Sequence, residues 1–577
     1  MKVIARREPV ANRHALPDDL HPVLARIYAA RELESSQALE NRLKLLLPAT
    51  KLKGIDAAVK LLLQALQAQW RILIVADFDT DGATSCAVAV RALRMLGFQY
   101  VDYVVPRRFD SGYGLTPELI SADDTPSADL IITVDNGISS IRGVAFAKES
   151  GIRVLITDHH IQGEELPDAD AIVNPNQNGD EFPSKNLAGV GVIFYVMLAF
   201  RSYLREQGWF SSQNTREPNL GQLLDLVALG TVADLVPLDH NNRILVAQGL
   251  ARIRSGIGCA GIYALLASSG RQFERVIASD MGYAVAPRLN AAGRLDDMSL
   301  GIECLLSDNL SEANEIAGRL DAMNLERRKI EAEMRIDALR DLDQLQLDTE
   351  SSELPFGIVL YNEKWHQGVV GVIASRIKEI HHRPVVIFAP GQAGEIKGSA
   401  RSVAGLQIRD VISRIDAQHP GLISKFGGHA MAAGLSMDVD GFELFRDEFD
   451  QQVRQLLSVD DLKSVVWSDG ELHEHDLDMP LAEVLRSAGP WGQGFPEPVF
   501  DGVFQLISRR VVGEKHLKLL LKIPGTNEKL VDAIAFNTDD SVLPVGATKA
   551  RLAYRLDINQ FRGQTSVQMV ALHIEAL

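Results

Sequence analysis

From residue 71 onward, short β-branched runs alternate with helix-like stretches. ILIVA (72–76), YVDYVV (100–105), LIITV (130–134), VLIT (154–157) and the weaker AIV (171–173) are the strand candidates. Continuous apolar runs of this length mark strands buried on both faces. Between them, ATSCAVAVRALRML and IRGVAFAKES have helical spacing. The pattern predicts a doubly wound α/β domain with a parallel sheet. Before it, residues 1–55 read as a small helical entry segment, and 56–68 have the apolar spacing of a helix. Residues 185–310 read as mostly helical. Residues 309–346 combine dense charge with apolar residues at helical intervals, which predicts a long connecting helix. A second β/α pattern follows, with GIVLY (357–361), the helix GVVGVIASRIKEI and PVVIF (384–388). Past residue 465, short strands with glycine and proline punctuation predict a small barrel of the OB type. The expected order is therefore 1–55 helical, 56–308 α/β, 309–350 connecting helix, 351–460 a second smaller α/β domain and 461–577 a β-barrel.

Composition narrows the class. The chain has 577 residues, 46% hydrophobic and 23% charged, which excludes a mainly disordered or low-complexity protein. A net charge of −17 excludes a bulk cationic field for nucleic acid but leaves room for a local basic groove. Three cysteines, Cys86, Cys259 and Cys304, are spaced as neither a disulfide framework nor a zinc knuckle. The first residues lack the apolar core of a secretory signal, and no long uncharged apolar stretch occurs, so a cytoplasmic protein is expected. No long exposed apolar stripe stands out, which favours a monomer. A GxxxxGK[ST] phosphate loop is absent, which disfavours a kinase or ATPase.

The chemistry gathers where the first-domain strands end. The first gives Asp77-Phe78-Asp79-Thr80-Asp81-Gly82, the next Asp135-Asn136-Gly137, and another Asp158-His159-His160. Ligands of doubly wound sheets bind at the carboxyl ends of strands, so five carboxylates and two imidazoles would meet on one edge. Carboxylates that close cannot all ionise without a cation. Oxygen donors suit Mg²⁺ or Mn²⁺, and imidazole tilts the choice to Mn²⁺. The number of ligands points to two ions, the usual arrangement for phosphoester hydrolysis. A lone Asp after a strand is often only a helix N-cap; Asp79 or Thr80 could cap the helix that follows, and the two histidines could form a solvated turn.

DFDTDG (77–82), VDNG (134–137), DHH (158–160) and GTVADLVPL (230–238) resemble the four motifs of the DHH phosphoesterase superfamily. PRLNAAGR (287–294), WHQGVVG (365–371), GSARS (398–402) and KFGGHAMAAG (425–434) are similar to blocks of its single-strand-specific exonuclease branch. The resemblance implies a single-stranded-DNA exonuclease acting 5′ to 3′, releasing mononucleotides with two Mn²⁺ or Mg²⁺ ions in recombination and repair. It implies metal ligands at Asp77, Asp79, Asp81, Asp135, His159 and Asp234, with Asp135 bridging. His160 would touch the scissile phosphate, and Asp158 would hold the histidine pair. In some pyrophosphatase relatives a His opens the first motif; here Asp77 takes that place, which should favour tolerance of Mg²⁺.

In the second half, Ser399 and Arg401 offer a hydroxyl and a guanidinium suited to phosphate. His429 follows two glycines, and Ala430–Ala433 is expected to start a helix whose N-terminus would suit an anion. The plainer reading there is a tight turn with a structural His. By the resemblance, Arg108, Ser399 and Arg401 gather the 5′-terminal phosphate, and the second domain clamps the strand. Arg288, Asn290 and Arg294 are further phosphate candidates, or parts of a buried Arg–carboxylate bridge across the domain boundary. Trp491, Phe495 and Phe561 are candidates for base stacking or for core. Expected partners are single-stranded DNA with a 5′ end, a single-strand-binding protein and a RecQ-type helicase. Two rivals are weighed: a DHH enzyme for short oligonucleotides, cyclic dinucleotides or pyrophosphate, which shares all the metal motifs, and a non-catalytic single-strand nucleic-acid-binding protein that kept the fold, which would be expected to lose motif carboxylates that this chain keeps.

Overall fold

Strand β1 (Lys2–Arg6) opens the chain, inside the segment expected to be helical. Five residues are too few for a periodicity to register, and the partner strand β12 (Ser464–Ser468) comes from the far end of the sequence. The helix Pro22–Ala29 and short 3₁₀ turns make up the rest of this entry region. The computed structural model describes all residues except 1, 9–15, 18, 34, 107–113, 349–353, 393, 514, 525–528, 539 and 562, and the backbone alone at 345–348 and 561. Arg108, expected at the terminal phosphate, and the Phe561 side chain, a candidate for base stacking or for core, therefore lie outside the described residues. Two units are distinguished, Arg6–Met323 with Trp467–Leu577 and Asn324–Val466 with the first five residues.

In the larger unit, β2 (Ile72–Ala76), β3 (Val101–Val104), β4 (Leu130–Val134), β5 (Arg153–Thr157) and β6 (Ala171–Val173) form a parallel sheet in the order β3-β2-β4-β5-β6. Every residue of β2 and β4 is buried, as expected for strands covered on both faces. The helix Thr80–Met95 leaves the end of β2 and is buried along most of its length. It packs against the helices Gly189–Glu206 and Leu224–Ala233. Because β3 lies on one side of β2 and β4 on the other, the order reverses between β2 and β4. That switch point is where open α/β sheets leave a crevice for ligands.

The long helix Leu310–Asp348 belongs to the smaller unit from Asn324 onward, and that unit also contains a mixed sheet. Strands β7 (Ile358–Tyr361), β8 (Val385–Pro390), β9 (Glu395–Arg401), β10 (Ile423–Gly428) and β11 (Ala432–Asp438) lie in the order β10-β11-β9-β8-β7. The expected helix start at Ala430–Ala433 is not there: β10 and β11 are the arms of an antiparallel hairpin. Gly428 has φ +143°, and a Cβ on it would lie 2.5 Å from the Ala432 carbonyl oxygen. Gly428 thus serves a tight reversal that puts His429 at an exposed tip.

After β12, β13 (Phe500–Val512), β14 (His516–Lys522), β15 (Leu530–Ala535), β16 (Lys549–Phe561) and β17 (Gln564–Ala576) close into the expected barrel, in the order β13-β14-β15-β17-β16. Alternation is clear on β14, where Leu517, Leu519 and Leu521 are buried between more exposed neighbours. Trp491 and Phe495, candidates for base stacking, lie against each other with ring centroids 5.0 Å apart and Tyr28 beside both. Trp491 Nε1 donates to the Leu485 carbonyl at 3.0 Å, and the Arg243 guanidinium sits 4.3 Å from the Phe495 ring. These faces are engaged in packing, which favours the core reading.

At the start of the barrel, Asp501 is 1% exposed and accepts hydrogen bonds from Arg6, Ser468 and Arg551. Burial pushes its carboxyl up, but those donors outweigh it and hold it at about 2 against the ordinary 3.8. A depressed carboxylate stabilises the fold above its unfolded pKa and loses that contribution as pH falls through the folded one, here from near 4 toward 2. The difference corresponds to about 2 kcal/mol at neutral pH. Asp501→Asn is therefore expected to lower Tm clearly at pH 7, with the gap to wild type shrinking as pH falls below 4. Thermal melts across pH check this, and a gap independent of pH would remove the electrostatic explanation.

A carboxylate and histidine cluster at the switch point

Asp77, Asp79 and Asp81 leave the end of β2, Asp135 leaves β4, and Asp158, His159 and His160 leave β5. Asp234 caps the C-terminus of the helix Leu224–Ala233. All reach one edge of the sheet. Ligand atoms of Asp77, Asp79 and Asp135 lie within 4.8 Å of one another, as do those of Asp135, His159 and His160, and those of Asp81, His159 and Asp234. Asp135 is shared between two of these groups. His159 Nε2 stands 3.1 Å from Asp135 Oδ1 and 3.6 Å from Asp234 Oδ2.

Local chemistry holds each group in place. Asp79 is the N-cap of the helix Thr80–Met95, its side chain accepting from Gly82 N at 3.0 Å, so the capping reading is also true of it. Asp135 has φ +61°, a left-handed conformation that Asp tolerates better than most residues. Next to it, Asn136 Nδ2 donates to the carbonyls of Val75 and Val134 at 3.0 and 2.9 Å, tying the ends of β2 and β4 together. Asp158, 1% exposed, collects the histidine pair. Its Oδ1 accepts from His159 N at 2.7 Å, His160 N at 3.1 Å and His160 Nδ1 at 2.8 Å, and its Oδ2 accepts from Ile138 N at 2.9 Å. From beyond β6, Asn176 and Asn174 donate to the carbonyls of His159 and His160 at 2.6 and 2.8 Å.

The charges are in conflict. Burial first, and neighbouring carboxylates second, push Asp135 and Asp234 well above the usual range. Burial and Asp79 push Asp81 up to about 7. Burial would raise Asp158 as well, but His160 outweighs it and holds it low. Burial would lower His160, but Asp158 and the other carboxylates raise it to about 9. Divalent cations resolve this conflict. The donor set, four or more carboxylates with imidazole, fits Mn²⁺ or Mg²⁺.

Other candidates are placed differently. Asn290 Oδ1 accepts from Thr80 N and Thr80 Oγ1, both at 2.8 Å, so it grips the first acidic loop. Gly293, in the same helix, lies so near that a Cβ would be 1.9 Å from the Phe78 carbonyl oxygen. Arg288 bridges to Asp321 at 2.8 Å, a carboxylate within the same larger unit, and donates to the Ala284 carbonyl. In the smaller unit, Ser399 and Arg401 project from one face of β9, while Ile396, Gly398 and Ala400 are buried on the other. Arg401 Nη1 donates to Ser399 Oγ at 3.0 Å and to the Ala400 carbonyl at 2.8 Å. A Cβ at Gly371, near the N-terminus of the helix Val370–His381, would come within 3.0 Å of both side chains.

Sequence reasoning passed over Asn136, Asn174, Asn176 and Gly189. Asn-Pro-Asn after the last strand (174–176) is a turn signal that could have directed attention to two of them. Gly189 carried none: a Cβ there would lie 2.6 Å from Asp135 Cβ, a proximity that only the packed helix creates.

A parallel sheet that sets carboxylates and a histidine pair at its switch point defines a metal-dependent phosphoesterase of the DHH type. Residues 71–231 match the DHH family N-terminal domain, 355–455 the DHHA1 domain and 468–573 the RecJ OB domain. A single-stranded-DNA-specific exonuclease RecJ of Dickeya dadantii is 53% identical over 99% of this chain and 98% of its own. The RecJ of Escherichia coli K12 is 52% identical over 98% of each chain. A crystal structure of RecJ in complex with Mn²⁺ from Thermus thermophilus superposes with a TM-score of 0.79 at 29% identity, covering all of this chain and 79% of that one. The chain belongs to the RecJ family. Among the described residues, no helix is long and apolar enough to cross a membrane.

Proposed function

We propose that the chain degrades single-stranded DNA from its 5′ end, releasing mononucleotides by phosphodiester hydrolysis in recombination and repair. The observation that carries this reading is the meeting of Asp77, Asp79, Asp135 and Asp234 with His159 at the switch point of the parallel sheet. Mn²⁺ or Mg²⁺, two ions per site, would supply Lewis acidity to activate water and neutralise the leaving oxygen.

The chain's own residues do the rest. Asp77 and Asp79 would hold one ion, Asp81, His159 and Asp234 the other, and Asp135 would reach both. Asp158 fixes the histidine pair and keeps His160 protonated at neutral pH, so its imidazolium is a donor for a phosphate oxygen. Ser399 and Arg401 read the terminal phosphate through charge-assisted hydrogen bonds. Arg401→Ala is accordingly expected to reduce the preference for 5′-phosphorylated over 5′-hydroxyl ends about tenfold or more, the worth of one hydrogen bond to a charged group. Competition between the two labelled substrates measures it, and equal losses on both ends would remove Arg401 from that role.

We also infer, from family membership, that a single-strand-binding protein and a RecQ-type helicase supply unpaired ends, and that the protein acts as a monomer in the cytoplasm. The deciding experiment digests strands labelled at either end, DNA and RNA alike, in Mn²⁺, beside a dinucleotide. Early loss of the 5′ label from long DNA supports the reading. Activity confined to the dinucleotide would make it a small-substrate DHH enzyme.

A further inference from the structure

One face of the β10-β11-β9-β8-β7 sheet is covered by the helices Ile408–Gln418 and Phe442–Leu456, which share a core with Ala400, Leu435 and Met437. The other face is covered over only part of its width. Val385 and Ile387 of β8 lie in a core with the helix Val370–His381. Past β8 that core stops, and β9 presents Lys397, Ser399 and Arg401 on the same side. Ser399 stands in one row with Gly434 of β11 and Gly427 of β10. The next row, on the side away from Arg401, is Lys397, Ser436 and Lys425. A third row, Glu395 with Asp438, is acidic and ends the basic field.

Charge decides what this open face takes. It carries no large apolar side chain, so it offers a protein partner little to bury. Lys397, Lys425 and Arg401 complement an anion. Among the described residues, neither lysine has an ion pair or a hydrogen bond to satisfy its charge. Rows two residues apart are separated by about 6.8 Å, and β9 and β10, with β11 between them, by about 9.6 Å. Two ammonium groups on long flexible stems can therefore close over one anion next to Ser399. Under the proposed reaction Ser399 and Arg401 hold the terminal phosphate, and the next phosphate inward is the scissile one, which belongs to the metal centre. What remains for the row beyond Ser399 is phosphate attached outside the terminal one.

We propose that Lys397, Ser436 and Lys425 form a subsite for the outer phosphates of a 5′-polyphosphorylated strand, so that the protein takes 5′-triphosphate ends directly. This rests on the reading of Ser399 and Arg401 as holders of the 5′ end. The chemistry keeps its form. Water adds to the phosphorus between the first and second nucleotides, and the bond to the first nucleotide's O3′ breaks. One proton of the water ends on that oxygen and the other goes to solvent. The shortened strand carries a 5′-monophosphate. The first product is consequently a nucleoside triphosphate, and every later one is a monophosphate.

The test gives the full-length protein, with Mn²⁺, one single-stranded DNA sequence ending in a 5′-triphosphate or a 5′-monophosphate. Wild type is expected to use both ends at similar rates and to release a nucleoside triphosphate first from the former, resolved by anion-exchange chromatography. The double variant Lys397→Gln, Lys425→Gln is expected to lower kcat/KM for the triphosphate end about tenfold or more, the worth of one hydrogen bond to a charged group. Its use of the monophosphate end should match wild type. A triphosphate end that wild type leaves intact, or that yields no nucleoside triphosphate, would overturn the proposal. So would an equal loss on both ends in the double variant, which would put the lysines on the body of the strand. If wild type does not shorten the monophosphorylated strand from its 5′ end, the exonuclease reading fails instead, and metal-free binding judges the subsite. Wild type should then bind the triphosphate strand more tightly than the monophosphate strand, and the double variant should not. Equal affinity of wild type for the two strands would overturn the subsite as well.

Discussion

Asp135→Asn is expected to lower the cleavage rate on the order of 10³-fold or more, the scale on which losing preorganised charge at a reacting phosphate is felt. Asparagine is the informative replacement because residue 135 sits at φ +61°, which Asn tolerates and Ala does not. The variant separates catalysis from folding. In wild type, burial and the surrounding carboxylates penalise the ionised form of Asp135. Removing the charge relieves that repulsion, so the metal-free Tm should stay level or rise. The increase in Tm that Mn²⁺ gives the wild type should shrink, since stabilisation by a ligand follows its affinity for the folded state. Melts with and without Mn²⁺, beside single-strand digestion, read both effects. Retention of most activity would refute a bridging role.

His160→Gln should cost about 10²–10³-fold in kcat, the range for losing a donor aimed at developing charge. His160 is the more exposed of the pair, 31% against 12% for His159. Its Nδ1 is held by Asp158, and that pairing keeps it cationic against the effect of burial. Gln keeps a donor but loses the charge. If His160 meets the phosphate, two Mn²⁺ remain bound and kcat falls. Loss of one Mn²⁺ would make His160 a ligand. Asp158→Asn should reproduce much of the defect, because four donors converge on that carboxylate and the backbone of both histidines turns on it.

Asn290 marks the limit of reading motifs. It stands in a motif segment as a polar residue fit for a phosphate, and in the folded chain it holds the backbone and side chain of Thr80. Spacing along a chain tells which side chains leave a strand together. It does not tell which of them a distant helix will meet. The hairpin at Gly428 teaches the same lesson: alanines after glycines read as a helix start, and the pairing of β11 with β9 decided otherwise.

By itself the sequence determined the parallel strands, the long connecting helix, the closing barrel and the acidic identity of the strand ends. Each of these follows from local periodicity or from residues that sit next to one another. The tertiary structure alone decided that β2 and β4 are neighbours at the reversal of strand order, which brings Asp77 and Asp135 together. The motifs implied that Asp234 joins His159, which the structure places 3.6 Å apart, but the tertiary structure alone brought the end of the helix Gly189–Glu206 to Asp81. Those contacts join segments far apart in the chain, and packing, which has no signature in any short window, is what selects them.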